Sequence, residues 1–397
     1  MMMKDKKLDK LLEKMVELGG SDLHLKTDAK PKARISGEIQ LIDDEVLGKD
    51  FFESCIDTIL TQKQKDKLES EKELDSYYVS GGGFRFRLNI FFHLNGIAFV
   101  LRVIPTKILT LDELNMPNAV KRFIGFERGL VLVTGTTGSG KSTTLAAIID
   151  GINRTTKKHI ITIEDPVEFV HTDKNCIIEQ RNVGEDTKSF ANALKSALRE
   201  DPDIILVGEM RDIDTIEIAL HAANSGHLVL STLHTIDTKE TIDRIIGTFP
   251  PHEQNRIRMT LSSVVQGIIS QRLIKKVGGG RSAAVEILIA TDRIKQMIRE
   301  NRDNEITDAV AQGDIYGMQT FDQALLKLYK NGIATLEDVL TASTKPDDLK
   351  LMISNTQNNL DKQEEIIGFK DTPIEENGAD TQELPKKEAL PELKLKK

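Results

Sequence analysis

The sequence contains few cysteines, no tryptophan and no apolar run of membrane-spanning length. The two cysteines, Cys55 and Cys176, stand far apart and lack metal-ligand spacing, so we expect reduced thiols in a cytoplasm rather than a disulfide framework. The first ten residues, MMMKDKKLDK, lack the hydrophobic core of a secretory signal. We therefore expect a cytoplasmic protein whose association with any membrane is peripheral.

An excess of positive charge is also missing. The 397 residues carry a formal net charge of −8, so there is no global basic field that would draw the chain to DNA or RNA. We accordingly expect no nucleic-acid partner, although a local basic patch stays possible. The remaining composition, 39% hydrophobic and 29% charged, is that of a globular protein with room for two or three domains.

The first hundred residues carry short strand patterns that follow one helix. Leu8–Leu18 has helical apolar spacing and ends at Gly19 and Gly20. Segments of strand character then follow at Ser21–Leu25, Ala33–Ile35, Phe84–Phe92 and Ala98–Ile104. These patterns predict a smaller N-terminal α+β domain over residues 1–105, and the prolines near 105 and 117 mark residues 106–118 as a linker.

From Leu130 the pattern changes to apolar strands that alternate with helices. The apolar runs are Leu130–Val133, Ile160–Ile163, Ile204–Val207 and Leu228–Leu230, with helical stretches at Thr143–Asn153 and Phe190–Arg199. This order predicts the α/β class, a doubly wound parallel sheet with its ligand at the carboxyl ends of the strands. We assign this domain to residues 119–355 and predict helices from His252 to about Ser354. The charged tail, 356–397, is predicted to be disordered.

The segment Gly135–Ser142, GTTGSGKS, follows a strand and precedes a helix. In this context the pattern indicates a phosphate-binding loop rather than a glycine-rich turn with a chance lysine. Its glycines let backbone N–H groups face phosphate oxygens, Lys141 reaches the β- and γ-phosphates, and Ser142 offers a hydroxyl to Mg²⁺. The predicted nucleotide-binding residues are Gly135, Thr136, Thr137, Gly138, Ser139, Gly140, Lys141, Ser142 and Thr143.

Acidic residues end two of the predicted strands. Glu209 follows the strand Ile204–Val207, at the position where phosphate-loop enzymes hold Mg²⁺. Glu164, Asp165 and Glu168 follow the strand that starts at Ile160, and such a group can bind Mg²⁺ or activate water. The alternative is that these carboxylates are solvated strand ends or helix starts. The phosphate loop in the same sheet favours the catalytic interpretation.

Histidines and arginines provide weaker candidates. His227 and His234 flank the strand around Leu228–Leu230, where they could sense the γ-phosphate or simply be packed and hydrogen-bonded. Arg87 and Arg102 lie on predicted strands of the first domain. They are either solvated surface residues or cations that stabilise transition-state charge across a cleft, and the spacing does not choose between these roles.

Four ordered segments carry a family resemblance. The segment Leu198–Asp212, LREDPDIILVGEMRD, resembles the signature of the secretion and pilus ATPase superfamily, which includes type II secretion ATPases and the motors of type IV pili. In the same order, GTTGSGKS resembles its Walker A loop, IEDPVE its Asp box, GEMRD its Walker B segment and GHLVLSTLHT its His box. The resemblance covers roughly residues 5 to 350.

Three further segments are most similar to the retraction ATPases of twitching motility: Ser21–Leu25, Gly278–Leu288 and Gly317–Leu325. One segment departs from that branch. Residues 293–300, RIKQMIRE, keep the apolar spacing and the final IRE of a late helix whose middle usually differs. Both a main retraction motor and an accessory paralogue therefore remain possible.

The resemblance implies a homohexamer in which a PAS-like N-terminal domain joins a RecA-like ATPase domain. By position it implies that Lys141 and Ser142 bind phosphate and Mg²⁺, that Glu209 is the Walker B acid, and that Glu168 is the catalytic glutamate. It further implies functional roles for His227, His234, Arg87, Arg102, Arg199 and Arg211. The metal candidates are Ser142, Glu209, Glu164 and Asp165.

These implications add up to a Mg²⁺-dependent ATPase that drives pilin disassembly at an inner-membrane platform protein, with pilin contacted only indirectly. Within the superfamily, a pilus assembly or type II secretion ATPase is the alternative. Outside it, the alternatives are a nucleic-acid translocase, which the acidic charge disfavours, and a nucleotide-gated scaffold without turnover.

Overall fold

Two β-sheets organise the chain in the computed structural model, which describes residues 5–104 and 107–355. Residues up to Thr344 form one compact unit that contains both sheets. A second unit begins at Lys345, and residues 346–355 within it form a helix. Pro105, Thr106 and the predicted tail, 356–397, lie outside the described residues, and the domain limits given above stay predictions.

The first helix, α1 (Lys6–Glu17), begins where the sequence places a cap. The carboxylate of Asp5 accepts hydrogen bonds from the backbone N–H groups of Lys7 and Leu8, both at 2.9 Å. Apolar residues spaced three or four apart, such as Leu8, Leu12 and Met15, are buried along one face. The helix agrees with the predicted segment Leu8–Leu18.

The first sheet has six antiparallel strands in the order β3-β2-β1-β6-β5-β4. Its alternate residues pack with three helices into one apolar core, whereas its other face carries polar groups such as Arg87 and Asn89. The elements are β1 (Gly20–Lys26), β2 (Lys32–Ile35), β3 (Glu38–Leu41), α2 (Lys49–Ile59), α3 (Gln62–Glu71), β4 (Glu73–Val79), β5 (Arg85–His93) and β6 (Gly96–Ile104).

The second sheet has seven strands in the order β13-β12-β7-β11-β10-β8-β9, and all neighbouring pairs are parallel except the pair of β12 and β13. The central strands are buried on both faces, which explains their unbroken apolar runs. The strands are β7 (Gly129–Thr134), β8 (His159–Glu164), β9 (Ile177–Asn182), β10 (Ile204–Val207), β11 (Leu228–Leu233), β12 (Val265–Lys275) and β13 (Arg281–Ile289).

Helices pack around this sheet, and those within residues 118–311 share its apolar core. The helices are α4 (Asn118–Lys121), α5 (Lys141–Thr155), α6 (Phe190–Ala197), α7 (Ile213–Asn224), α8 (Thr238–Gly247), α9 (Pro251–Val264), α10 (Asp292–Arg299), α11 (Ile306–Ala311), α12 (Phe321–Lys330) and α13 (Leu336–Ala342). The predicted fold class, an α/β parallel-sheet core with an N-terminal α+β part, is confirmed. Among the helices of the described ranges, none is long and apolar enough to cross a membrane.

The prediction of continuous helices from His252 to about Ser354 is wrong. Strands β12 and β13 interrupt that region and pair with each other over nine residues, from Gly267 opposite Ile289 to Lys275 opposite Arg281. The segment of β12 mixes apolar and polar residues in a way that also fits a helix. Its pairing with β7 therefore decides that it is a strand. The turn Gly278–Gly280 was the available signal for a hairpin.

Candidate nucleotide site

The loop between β7 and α5 has the backbone of a phosphate cradle. Gly135 and Gly140 have φ angles of 142° and 91°, which side chains rarely allow. A Cβ atom on Gly135 would lie 2.4 Å from the backbone oxygen of Gln271, and one on Gly140 would lie 2.7 Å from the Gln271 side-chain nitrogen. Strand β12 therefore supports the loop from behind, and only glycine fits at both positions.

The start of α5 offers unpaired donors to this cradle. No side chain in the described part of the chain caps the helix, whose cap position is Gly140. The hydroxyl of Ser139 is buried and has no hydrogen-bond partner among the described residues. First-turn N–H groups, a helix dipole and an unpartnered hydroxyl together fit an anionic ligand. The residues present therefore suit the phosphates of a nucleotide.

Lys141 places its ammonium inside the loop. Its Nζ atom donates to the backbone oxygens of Gly135 at 2.9 Å and Thr136 at 3.0 Å, and the residue is only 8% exposed. Burial lowers the pKa of Lys141, and the negative charges of Glu168 and Glu209 oppose that shift. The loop thus holds one cation at its centre, and that charge interacts with both Glu168 and Glu209.

Glu209 follows β10, and two basic side chains lie beside its carboxylate. One carboxylate oxygen lies 2.6 Å from Nε of Arg211, and the other lies 3.4 Å from Nε2 of His234. Burial lowers the pKa of His234, and nearby Lys141 lowers it further. The imidazole is therefore neutral near pH 7, where it can donate or accept a proton in a hydrogen bond.

The acids of the predicted Asp box differ in their surroundings. Glu164, at the end of β8, accepts hydrogen bonds from the Thr162 hydroxyl at 2.6 Å and from the Gln180 amide at 3.3 Å. Burial raises the pKa of Glu164. Asp165 and Glu168 are exposed. Of the three, Glu168 is thus the accessible carboxylate that also faces the charge of Lys141.

A cleft of about 570 Å³ brings most of the predicted site residues together. It is lined by loop residues including Lys141, Ser142 and Thr143, by the acids Glu164, Asp165, Glu168 and Glu209, and by Arg211 and His234. Arg87 of the first sheet also lines it. One cleft thus combines the phosphate loop, the acids and a cation from the N-terminal sheet.

Six predicted residues are not among the described residues that line this cleft: the loop residues Gly135, Thr136 and Ser139, and outside the loop Arg102, Arg199 and His227. Arg102 pairs with Asp22, at 2.6 Å, although it lies opposite Arg87 in the sheet. Arg199 is exposed beyond the end of α6. His227 precedes β11 and lies near the Ser225 hydroxyl, whereas His234 follows the same strand. Since β11 separates them, the two histidines are roughly 20 Å apart.

Several residues of the cleft were not predicted from the sequence. Arg281 and Leu273 come from the β12–β13 hairpin, and Phe190 comes from the first turn of α6. Behind the loop, the Gln271 side chain accepts a hydrogen bond from the Thr144 hydroxyl at 2.8 Å. Three of these residues lie in or beside a hairpin that was predicted to be helical, so no pattern in the sequence placed them here.

The acids of the cleft do not form a metal cage. Within residues 5–104 and 107–355, no three His, Cys, Asp or Glu side chains are grouped closely enough to hold a metal ion. A cation here would need oxygens from phosphate and water beside one or two protein ligands. That ligand set is typical of Mg²⁺ bound with a nucleotide.

Comparisons with known proteins agree with this geometry. Residues 2–279 match the family of type II/IV secretion system proteins. The type IV pilus retraction ATPase PilT of Pseudomonas aeruginosa is 46% identical over 341 residues, which are 86% of this chain and 99% of the relative. A twitching motility protein of Neisseria gonorrhoeae is 44% identical over 308 residues, 77% of this chain and 82% of the relative.

A solved structure is similar over nearly the same length. The crystal structure of the pilus retraction motor PilT with bound ADP superimposes with a TM-score of 0.82 and 45% identity, and it covers 87% of this chain and 99% of that one. The similarity therefore extends over the residues of both sheets.

Proposed function

The chain belongs to the type II/IV secretion system protein family and is an ATPase, and on that premise we propose that it powers the retraction of type IV pili. Retraction and twitching motility are what the names of its relatives state. In this proposal ATP hydrolysis withdraws pilin subunits from the base of the filament.

The observation that carries the proposal is that Arg87 and the phosphate loop line the same cleft. Arg87 stands on β5 of the first sheet, whereas the loop begins at the end of β7 in the second. A change of charge at the phosphates alters the attraction of both Arg87 and the loop to them, because an arginine is attracted to phosphate oxygens. Hydrolysis can therefore move one sheet relative to the other, which is what a motor requires.

The residues of the cleft divide the chemistry among them. The N–H groups at the start of α5 and the ammonium of Lys141 hold the phosphates. Ser142 and Glu209, with Glu164 and Asp165 nearby, would hold Mg²⁺, which neutralises charge on the phosphate oxygens when it is bound. Glu168 orients the attacking water and accepts its proton, and Arg87 and Arg211 stabilise the developing charge.

His234 acts next to these groups. Its Nε2 atom faces Glu209, so a shift of that carboxylate reaches the imidazole directly. The loop that follows His234 leads into α8. We assign His234 the role of sensing the γ-phosphate through Glu209. Arg102, Arg199 and His227 do not line this cleft within one chain, so in this proposal any contact they make with nucleotide is across an interface with a neighbouring subunit.

The working form that we propose is a homohexameric ring at the cytoplasmic face of the inner membrane, docked on the pilus platform protein. A ring supplies the neighbouring subunits, and docking supplies the anchor against which the sheets move. Both parts rest on the family resemblance.

A gene deletion tests the direction of work. Loss of a retraction motor leaves assembly unopposed, so the deleted strain should carry more pili and lose twitching. Wild-type protein should restore both properties, and a Lys141→Ala variant should restore neither. A strain that loses its pili would instead identify an assembly motor, and normal pili with reduced force would identify an accessory paralogue.

A further inference from the structure

A chain of hydrogen bonds joins the N-terminal sheet to the loop that carries Glu168. The hydroxyl of Tyr77, on β4, donates to the side-chain oxygen of Asn182 at 2.7 Å. The same oxygen accepts the backbone N–H of Val167 at 2.9 Å. Val167 directly precedes Glu168 in the sequence. Only one side chain therefore separates the first sheet from the residue next to the proposed catalytic base.

The amide of Asn182 has little freedom to turn. Asn182 ends β9, lies opposite Glu164 in the sheet and is 7% exposed. Its backbone N–H and its side-chain nitrogen both reach the carboxylate of Asp186, at 2.8 and 3.3 Å. The side-chain oxygen must then face Tyr77 and Val167, because a turned amide would present its NH2 group to the Val167 N–H and its oxygen to the Asp186 carboxylate.

Tyr77 is held in place to make this contact. The guanidinium of Arg85 lies 4.9 Å from the centre of its ring, so the ring is fixed independently of its hydroxyl. Burial raises the pKa of Tyr77, and the hydroxyl keeps its proton at neutral pH. The hydroxyl is therefore available as a donor whenever the two sheets stand as they do here.

We propose that Tyr77 is a positioning residue for hydrolysis, which acts on Glu168 through Asn182 and Val167. When the first sheet stands against the second, Tyr77 fixes the amide that anchors the Glu168 loop. When the sheets separate, the loop loses one of its supports and Glu168 leaves the position from which it orients water. Hydrolysis is thereby coupled to sheet closure. The proposal rests on the proposed role of Glu168 in the ATPase reaction.

The strand offers a matched control for the test. Tyr78 follows Tyr77 but points to the other face, where its hydroxyl donates to Asp9 at 2.7 Å within the core of the first sheet. Tyr77→Phe and Tyr78→Phe each remove one hydroxyl from the same strand, and only the first removes the contact with Asn182. Both variants are made in the full chain, and their melting temperatures are recorded.

Steady-state kinetics then separate positioning from folding. We expect Tyr77→Phe to lower kcat by about three- to tenfold with KM changed less than about twofold, because one neutral hydrogen bond supports the catalytic geometry and not nucleotide binding. Tyr78→Phe should change the melting temperature and not kcat. Asn182→Ala should lower kcat too, and adding Tyr77→Phe to it should lower kcat no further. Equal kcat for Tyr77→Phe and wild type, or equal losses for both Tyr variants, would overturn the proposal.

Hydrogen exchange provides a readout that does not depend on catalysis. The amide of Val167 should exchange at least about threefold faster in Tyr77→Phe than in wild type, and at the wild-type rate in Tyr78→Phe. If wild type hydrolysed no ATP, the proposed function would fail while this exchange difference could still be present. Unchanged exchange with normal wild-type hydrolysis would refute the link alone.

Discussion

Removal of the Lys141 ammonium is the perturbation whose effect the structure defines most closely. Lys141 is buried, and its Nζ atom donates to two loop carbonyls, of Gly135 and Thr136. An ammonium has three N–H donors, so at least one can face a phosphate oxygen without breaking either bond. Lys141→Ala removes that donor and leaves two loop carbonyls without their partner.

The magnitude follows from the charge of the lost bond. A hydrogen bond in which both groups are charged contributes about 1.5–3 kcal/mol. One such bond to phosphate therefore corresponds to a roughly 10- to 150-fold loss of ATP affinity. The transition state carries more charge on these oxygens, so hydrolysis should fall further, by about 1000-fold or more.

Titration of a fluorescent nucleotide measures the affinity, and phosphate release measures the turnover. Lys158→Ala is the control. Lys158 forms a 3.2 Å ion pair with Asp203 at the amino ends of the strands of the same sheet, and its removal changes the net charge by as much as Lys141→Ala does. It should leave affinity and turnover within about twofold of wild type. If Lys141→Ala bound and hydrolysed ATP like wild type, the assignment of the phosphate site would be wrong.

Three further predictions concern the base, the core and the pH response. Glu168→Gln should bind ATP normally but release phosphate at least about 100-fold more slowly, because an amide cannot accept the proton of water; the exposed Glu179→Gln on β9 should behave as wild type. The guanidinium of Arg258 is 11% exposed, lies 2.7 Å from the Asp303 carboxylate and also donates to the backbone oxygen of Ile298. Asp303→Ala removes the negative charge beside this guanidinium, so urea titration should show a loss of about 3–5 kcal/mol in the free energy of unfolding, against less than about 1 kcal/mol for Glu305→Ala. Burial lowers the pKa of His171 to about 4, below its ordinary 6.5. As the pH is lowered from 6.5 to 4, the unfolded chain therefore takes up a proton at His171 that the folded chain does not, and the folded state loses stability. Between pH 7 and pH 5 the free energy of unfolding should therefore fall by about 2 kcal/mol. His171→Phe should abolish this fall, and His252→Phe should not.

The sequence predicted those parts of the site that depend on local pattern. The phosphate loop needs glycines and a lysine at fixed spacing between a strand and a helix, and all of that information lies within about twenty residues. The strand-end acids were predicted for the same reason, because the carboxyl ends of parallel strands meet at one edge of a sheet. The cleft accordingly contains Lys141, Glu168 and Glu209.

Features that depend on contacts between distant segments could not be predicted from local sequence patterns. Residues of β12 and β13 fit a helix as well as a strand, and only the pairing of β12 with β7 and of β13 with β12 decides between them, so Arg281 and Gln271 were missed. Arg87 and Arg102 look equivalent in sequence, but Arg87 lines the cleft whereas Arg102 pairs with Asp22. The contact between Tyr77 and Asn182 spans 105 positions and involves no recognisable motif.

The central claim is that the cleft between the two sheets hydrolyses ATP, and that Arg87 stabilises the charge that develops on the phosphates there. The most direct measurement is steady-state phosphate release by the purified full chain with Mg²⁺, beside its Arg87→Gln variant. The account predicts Mg²⁺-dependent release by wild type and release at least about tenfold slower by the variant, with ATP still bound. Equal rates for the two proteins, or no release by wild type, would contradict it.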